Sequence, residues 1–376
     1  TTASSNTAVG YSALGANTTG AENTSMGRDT LGDNTTGASN TAFGKSALGS
    51  NTTASNNTAV GKSALAANTT GFDNVALGYA TLDANTTGNN NTSLGNYSLG
   101  SNTTGGNNTA VGYGALTSNT TASNNTGVGI QALQSNTTGT NNVSVGQQST
   151  YTNTTGNNNT SLGTGALYAN TTASNNTAVG YSALLANTTG NALTAVGANA
   201  LDANTTGLYN TAVGAAALGA TTTGNNNVAV GYQALDSNTD GHDTVAIGKG
   251  ALQAFTGSGS VGGSVGVGRD ALYSLTTGEN HVAIGENAGY SITTGNNTVA
   301  IGKLALYANT GNDNTAVGHQ TLQANTSGED NTAVGRDALN DNTTGSYNVA
   351  VGKNALDANT TEGYITAIGY NSLSAN

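Results

Sequence analysis

Large apolar, small and polar residues alternate along this chain in a pattern that recurs from one end to the other. The stretch NTAVGYSALGANTTG, residues 6–20, is one copy, and variants of it start at Asn6 and Asn23 and continue in steps of 17 residues. With Asn6 as position 1, position 2 is always Thr or Val, position 4 is always a large apolar residue, and position 5 is always Gly. Position 9 is Leu in all but two copies, where Thr150 and Gly289 replace it. A fixed period of this length is typical of a solenoid or a fibrous array.

Within each copy, the local period favours a strand over a helix. Thr7 and Val9 fall on one face of the NTAVG segment and the small Ala8 on the other, which is the period-two pattern of a strand. We expect the large residues at positions 4 and 9, such as Val9 and Leu14, to face a dry interior, and position 6 to face solvent. Gly at position 5 ends the strand, because a corner with positive φ or a close neighbouring backbone admits Gly at least cost. The ANTTG segment supplies the second corner.

The pattern as a whole predicts an all-β fold, a repetitive parallel β-solenoid or β-roll of about 22 coils with a 17-residue repeat. Stacked coils would place each position above its copy, about 4.8 Å away, in ladders of Val, Leu, Asn and Thr. We expect the same fold in the variant stretch from Thr221 to Gly311, with a bulged loop near Gly257 to Gly263.

The domain organisation predicted from the repeat is a single continuous array over residues 1–376. Its irregular parts are a partial repeat at Thr1–Ser5, a longer repeat at 244–263, a repeat one residue shorter at 298–313, and a partial last repeat at 365–376. The last residue stops one step before the register at which the first begins, and neither end carries a polar cap for its strand edge. We therefore expect the segment to continue in a longer polypeptide or to stack end to end with identical copies in a filament.

The small number of large apolar residues points to association between chains. Two large aliphatic side chains and one Thr or Val in each coil form a small core for 17 ordered residues. Columns of small residues at positions 3, 8 and 11, such as Ala8, Ala13 and Ala16, would let two or three chains pack side by side. We therefore predict a homo-oligomer, most simply a homotrimer.

Charge and composition exclude several classes of partner. The net charge is −11 over 376 residues and only 7% of the residues are charged, so we expect no nucleic-acid surface. There is no Cys, and hence no disulfide framework or thiolate metal site. No apolar run approaches the roughly 20 residues that cross a bilayer, so we expect no membrane insertion in this segment.

Three stretches resemble a known family. NTAVGYSAL at 6–14, NTAVGKSAL at 57–65 and HVAIGENAG at 281–289 are similar to the head repeats of trimeric autotransporter adhesins and to phage tail-fibre-like surface repeat proteins. The resemblance covers nearly the whole chain and is specific in the five-residue core, although the adhesin unit is usually a few residues shorter and lacks the NTTG filler. It implies a left-handed parallel β-roll in a trimer, and an extracellular, cell-surface or virion fibre that attaches to a surface.

Residues that carry chemistry are sparse and scattered. The three histidines, His242, His281 and His319, occupy repeat positions 16, 1 and 6 on different coils, so we expect neither a catalytic pair nor a metal site. An Asp ladder beside Gly-Gly, which calcium-binding nonapeptide repeats need, is absent from the sequence. We predict that the protein is not an enzyme and has no cofactor.

Two glycine motifs match nucleotide-binding patterns only in their letters. GSGSVG, with Gly257, Gly259 and Gly262, lies in the long repeat and no helix is expected after it, so an irregular loop is the simpler interpretation. GKS at Gly44 and Gly61 lacks the earlier glycine of a P-loop. Neither motif predicts a phosphate site.

The NTT segment contains an Asn-X-Ser/Thr sequon at position 12 in fifteen copies. Two interpretations stay open: a column of N-linked glycans, or buried ladders of hydrogen-bonded Asn and Thr. Where position 12 loses Asn, the Thr two places later persists as Thr223, Thr277 and Thr294, which indicates a use for Thr independent of a sugar. The candidate glycosylation sites are Asn17, Asn34, Asn51, Asn68, Asn85, Asn102, Asn119, Asn136, Asn153, Asn170, Asn187, Asn204, Asn325, Asn342 and Asn359.

The leading functional prediction is an extracellular structural or adhesive fibre, because the sequence is long and regular and contains no recognisable catalytic site. Position 6 mixes Tyr with Lys, as at Tyr11 and Lys45, which indicates a solvent face, with glycan stacking on the tyrosines as an alternative. Host surfaces or glycans are its candidate partners besides the chain itself. The alternative function is ice or crystal-surface binding, which needs a flat outward Thr array; the adjacent Thr18 and Thr19 would point different ways in a strand.

Overall fold

The computed structural model describes residues 3–257 and 262–375, in two compact units, Thr1–Thr189 and Gly190–Asn376. Every regular element of the described residues is a three-residue strand. The first unit contains β1 Thr7–Val9, β2 Thr24–Met26, β3 Thr41–Phe43, β4 Thr58–Val60, β5 Val75–Leu77, β6 Thr92–Leu94, β7 Thr109–Val111, β8 Thr126–Val128, β9 Val143–Val145, β10 Thr160–Leu162 and β11 Thr177–Val179. The second contains β12 Thr194–Val196, β13 Thr211–Val213, β14 Val228–Val230, β15 Val245–Ile247, β16 Val265–Val267, β17 Val282–Ile284, β18 Val299–Ile301, β19 Thr315–Val317, β20 Thr332–Val334, β21 Val349–Val351 and β22 Thr366–Ile368.

Within each unit, every strand pairs in parallel with its copy in the next coil. Thr109 lies opposite Thr126 in the first unit, and Thr194 opposite Thr211 in the second, so the register is one repeat of 17 residues. The long repeat shifts the pairing to 20 residues between β15 and β16, and the short one to 16 between β18 and β19. The predicted parallel β-solenoid is therefore confirmed, and a single continuous array over residues 1–376 stays a prediction.

The inward face of the strand is the opposite of the predicted one. The small residue at position 3, such as Ala178, is fully buried in every described coil except the first, whereas no residue at position 4 is buried. Val179 is half-buried and Leu77 is 49% exposed. The prediction for position 4 is wrong, and the prediction for position 9 is confirmed, since Leu184 is fully buried.

The narrow interior explains why the small face turns inward. A Cβ added to Gly127, at position 3 of β8, would lie 3.3 Å from Cγ of Leu116, so the position-9 leucine of the preceding coil already fills the space opposite the strand. A Val or Leu side chain at position 3 would overpack this interior. The small residues at positions 3 and 8, such as Ala59 and Ala64, are therefore the core of the single chain. They cannot form the contact between chains that the sequence suggested.

The buried leucines adopt a backbone conformation that is uncommon for them. Leu65 and Leu116 have φ values of 51° and 53°, in the left-handed region, and the same holds for the leucine of nearly every coil. This conformation costs roughly 1–2 kcal/mol for a residue with a Cβ. Burying the leucine contributes about 1.5–3 kcal/mol, and its N–H donates to the position-8 carbonyl of the next coil, as from Leu116 to Ala132 at 3.0 Å.

Gly at position 5 is needed for two reasons that act together. Gly95 has a φ of 130°, and a Cβ added to it would lie 2.6 Å from the carbonyl oxygen of Gly112 in the next coil. The corner therefore combines positive φ with close approach of a neighbouring backbone, as predicted.

The variant stretch keeps the strands and pairings of the rest of the second unit. His242, in the repeat before the long one, forms an isolated parallel bridge with Gly262 of the long repeat. The predicted bulged loop at Gly257–Gly263 falls largely on residues 258–261, which lie outside the described residues, as do Thr1 and Asn376 at the predicted irregular ends.

Candidate functional site

The sequon asparagines point into the coil and form a ladder along it. Fourteen of the fifteen candidate sites are buried, and Asn17, in the first described coil, is half-buried. Asn102 is typical: its amide nitrogen donates to Oδ1 of Asn85 at 2.9 Å and to the carbonyl of Gly105 at 3.0 Å. Its own Oδ1 accepts from the amide nitrogen of Asn119 at 2.9 Å.

A second buried asparagine ladder runs through position 1. The Asn91 amide nitrogen donates to Oδ1 of Asn74 at 3.1 Å and to the carbonyl of Gly105 at 2.9 Å. The position-15 carbonyl of a coil thus accepts from two interior amides, those of positions 1 and 12, here Asn91 and Asn102. The NH₂ groups of Asn91 and Asn102 thus use both hydrogens inside the coil, which explains why these positions repeat as Asn.

These contacts favour the ladder interpretation of NTT over the glycan interpretation. An N-linked glycan replaces one hydrogen of the Asn side-chain nitrogen, and at Asn102 both hydrogens are used inside the coil. The folded coil has no room for a sugar at the fourteen buried sites. A glycan could be accommodated there only with the coil opened.

The threonine ladder belongs to position 13 rather than to the sequon threonine at position 14. The Thr103 hydroxyl donates to the Thr120 carbonyl of the next coil at 3.0 Å, and Thr86 donates to Thr103 in the same way. Thr104, which completes the sequon of Asn102, is exposed and its hydroxyl makes no hydrogen bond with any described residue.

The large apolar residues at position 4 and the Thr or Val residues at position 2 form the outer sheet face of each unit. In the first unit this face carries nine Thr and two Val at position 2, and only large apolar residues at position 4. In the first unit, beyond its first coil, the side chains at position 4 range from half-buried, as at Val111, to 49% exposed, as at Leu77. Sequence reasoning placed these side chains in the core and therefore missed this surface.

The side chains at position 6 face solvent, as predicted. Tyr181 is 64% exposed, and Lys45 and Lys249 are exposed at the same position. Lys62 Nζ lies 5.4 Å from the ring centroid of Tyr79 in the next coil. The predicted mixture of tyrosines and cations is therefore a mutually contacting surface column.

Shallow cavities lie along the columns of positions 7 and 10. One of about 360 Å³ in the first unit is lined by tyrosine, threonine, glutamine and glycine, with no charged residue. Another of about 330 Å³ in the second unit includes Lys249 and Asp270, beside the stacked rings of Tyr273 and Tyr290, whose centroids lie 5.2 Å apart. A third, of about 300 Å³, contains the carboxylates of Asp337, Asp341 and Asp357. Nothing in the sequence alone indicated these cavities, because each is lined from several coils.

The three histidines do not meet. His319 is exposed, and His242 Nδ1 accepts from the backbone N–H of Asn225 at 2.9 Å. His281 replaces Asn at position 1, is fully buried, and its Nε2 contacts the carbonyl of Gly295 at 2.6 Å. Burial lowers the pKa of His281, against a smaller opposing effect of the Gly295 carbonyl. Its Nδ1 has no partner among the described residues.

Of the two glycine motifs, the structure describes GKS fully and GSGSVG only at its ends. Gly44 and Gly61 are position-5 corner glycines at the ends of β3 and β4. Gly257 and Gly262 flank the undescribed segment that contains Gly259. Over residues 3–257 and 262–375, no group of three His, Asp or Glu side chains is placed to hold a metal ion, and no helix could span a membrane.

Comparison with protein-family models finds no match to this chain, and comparison with curated proteins finds none either. The resemblance to adhesin head repeats, based on NTAVGYSAL, NTAVGKSAL and HVAIGENAG, therefore stays a prediction. The function has to be argued from the surfaces described above.

Proposed function

We propose that this chain is an extracellular structural and adhesive fibre protein, and that it associates with copies of itself through the outer sheet face. The single observation that carries the proposal is that the large apolar side chains of this face lie outside the coil. Leu77 is 49% exposed and Ile284 is 41% exposed, and every coil of both units has a large apolar residue at this position. Apolar surface arranged in this way is typical of an interaction site.

The area of the face suits a stable association. Eleven strands about 4.8 Å apart and three residues wide, at about 3.3 Å each, cover about 500 Å² in one unit. Two such faces provide about 1,000 Å² per chain, and a stable interface buries about 800 Å² per partner. The largest apolar patch on an ordinary monomer is about 300–600 Å².

We take the homotrimer as the assembly, because three copies can bury the outer sheet face against one another around one axis. The resemblance to trimeric adhesin heads supports the same number of chains and places the fibre at a cell surface or on a virion. The scattered histidines and the buried asparagine ladders, as at Asn102 and Asn85, support a scaffold role rather than catalysis.

The test is the mass of the chain in solution. We expect a particle of about 110 kDa, three times the 36.7 kDa chain, in light scattering coupled to size exclusion. Substituting Leu77→Glu together with Leu94→Glu should release single chains with unchanged circular dichroism, because the charges lie outside the coil but inside the interface. Ile130→Glu is the matched control, since Ile130 is 51% exposed at position 6, away from the outer sheet face.

Two results would contradict the proposal. If the wild-type protein is monomeric at chain concentrations of tens of micromolar, the outer sheet face is not a contact between copies. A double variant that associates as the wild type does would place the contact elsewhere.

One observation favours ice or crystal-surface binding as a second candidate. In the first unit, nine of eleven position-2 residues are Thr, beside a file of apolar residues, so methyl and hydroxyl groups repeat every 4.8 Å or so along the stack. Such a regular array could match a crystal lattice only if the face is free. Thermal hysteresis of freezing by a single-chain form supports this candidate, and its absence in that form rejects it.

A further inference from the structure

We propose that the uncharged cavity of the first unit binds a neutral saccharide. It is defined by six residues from three consecutive coils, Tyr97, Tyr113, Gly114, Thr117, Gln131 and Gln134, and we call it the tyrosine–glutamine cavity. This inference deepens the adhesive part of the proposed function by naming a ligand class, and it does not depend on how many chains associate.

A gap in the position-7 column creates the cavity. Position 7 is Tyr97 in one coil, Gly114 in the next and Gln131 in the third, so only the middle coil lacks a side chain there. A Cβ at Gly114 would meet only Thr117 Oγ1, at 3.4 Å, and Gln131 Cγ, at 3.6 Å. The resulting volume of about 360 Å³ lies at the lower end of the range for small-molecule sites.

Tyrosines form one wall, and they hold one another in place. The Tyr97 ring lies edge-on between Tyr79 and Tyr113, with centroid distances of 5.3 and 5.9 Å and interplanar angles of 88° and 85°. Tyr113 is 53% exposed, so its ring is available to a ligand. An aromatic ring offers a broad apolar surface to the C–H face of a sugar, and a fixed ring loses little entropy on binding.

The glutamine amides that line the cavity with the tyrosines have unused hydrogen-bonding capacity. Oε1 of Gln134 is buried and has no partner among the described residues, which is costly, so this amide gains a hydrogen bond when it turns toward a ligand in the cavity. Gln131 accepts from Nε2 of Gln148 at 3.1 Å, which orients its own NH₂ group, and that group donates to no described residue. The Thr117 hydroxyl donates to the carbonyl of Gly114 at 2.7 Å, with the carbonyl of Tyr97 at 3.1 Å as a second acceptor, and its oxygen keeps a lone pair that can accept.

This set of groups matches the hydroxyls of a sugar. Each hydroxyl both donates and accepts, and the cavity offers amide donors beside an amide acceptor and a hydroxyl acceptor. No charged side chain lines it, whereas Lys249 and Asp270 line the tyrosine cavity of the second unit. The chemistry therefore selects a neutral sugar over an anionic or cationic ligand.

The test is titration of the full chain with four neutral probes: cellotriose, maltotriose, mannotriose and tri-N-acetylchitotriose. We expect calorimetry and saturation-transfer NMR to detect at least one of them at concentrations up to about 10 mM, near the weak end of measurable affinities. Gln134→Ala should weaken that binding at least about tenfold, since the buried acceptor is lost.

Filling the gap is the sharper variant. Gly114→Gln places at position 7 the residue that Gln131 already provides in the same left-handed conformation, so the coil should fold while the cavity closes. Gly165→Gln is the matched control, because Gly165 has the same conformation at position 7, with φ of 66°, but lies outside the tyrosine–glutamine cavity. We expect Gly114→Gln to abolish binding and Gly165→Gln to leave it unchanged.

Two outcomes overturn the inference: no binding of any of the four sugars, or binding that survives both Gln134→Ala and Gly114→Gln. The Leu77→Glu and Leu94→Glu double variant separates this inference from the proposed function. This double variant should no longer associate but should bind the sugar with unchanged affinity. The proposed association and the proposed sugar site can therefore be refuted independently.

Discussion

Replacing one ladder asparagine tests whether the repeated NTT segment serves the fold or carries a sugar. Asn102→Ala and Thr104→Ala both destroy the same sequon. Only the first removes a buried side chain from the position-12 ladder, because Thr104 is exposed. The two variants therefore separate the two interpretations of one motif.

The loss can be estimated from the contacts of Asn102. It takes part in three side-chain hydrogen bonds, with Asn85, Gly105 and Asn119. At about 1 kcal/mol net for each, their removal costs about 3 kcal/mol. Oδ1 of Asn85 is also left buried without its donor, which adds about 1–3 kcal/mol, whereas the Gly105 carbonyl keeps Asn91. We expect the free energy of local opening to fall by about 4–6 kcal/mol in Asn102→Ala, and by less than about 0.5 kcal/mol in Thr104→Ala.

Hydrogen exchange read by mass spectrometry is the suitable assay, because repeat arrays open coil by coil. Amides of residues 92–111 should exchange at least about 100-fold faster in Asn102→Ala, since 1.4 kcal/mol corresponds to about tenfold. Peptides from chain made in an N-glycosylating system should carry unmodified Asn at the buried positions. Equal effects of the two variants, or a loss below about 1 kcal/mol for Asn102→Ala, would refute the ladder reasoning.

Three further predictions follow from burial. Ala178→Asp should unfold the coil around it, because it puts an unpaired charge in the interior, whereas Val179→Asp should leave the circular dichroism spectrum unchanged. The reverse outcome would show that position 4, and not position 3, faces the interior. Leu201→Ala should lower the free energy of unfolding by about 2–5 kcal/mol in urea titrations, and Tyr181→Asp by less than about 0.5 kcal/mol. Equal losses would contradict the placement of position 9 in the core and of position 6 on the surface. The pKa of His281 is lowered in the folded chain, so this side chain binds a proton more readily in the unfolded chain, where its pKa is near 6.5. The contribution of His281 to stability is therefore complete above pH 6.5 and decreases as the pH falls below that value. His281→Asn should flatten this dependence of the urea midpoint, and an unchanged profile would show that His281 does not titrate in this way.

Much of the fold can be predicted from the sequence, because stacked coils turn sequence period directly into structure. The 17-residue spacing predicts parallel pairing in register, and the 20-residue and 16-residue steps are found where the long and short repeats predict them. The position-5 glycine marks the corner, as at Gly95, because only Gly tolerates both its φ and the approach of Gly112. The leucine of position 9 is recognisable as core from its regular recurrence.

The direction in which each side chain points was decided only by the tertiary structure. A period-two segment such as TAV has two faces, and the pattern does not say which one meets the interior. Left-handed leucines such as Leu116 fill the space opposite the strand, so only a small residue fits inward and the large ones turn out. The tyrosine–glutamine cavity likewise depends on three coils at once, with Gln134 lying 37 residues from Tyr97 in the numbering. Interior volume and cavity shape belong to chain segments that meet in space, and a local pattern contains no measure of the distance between them.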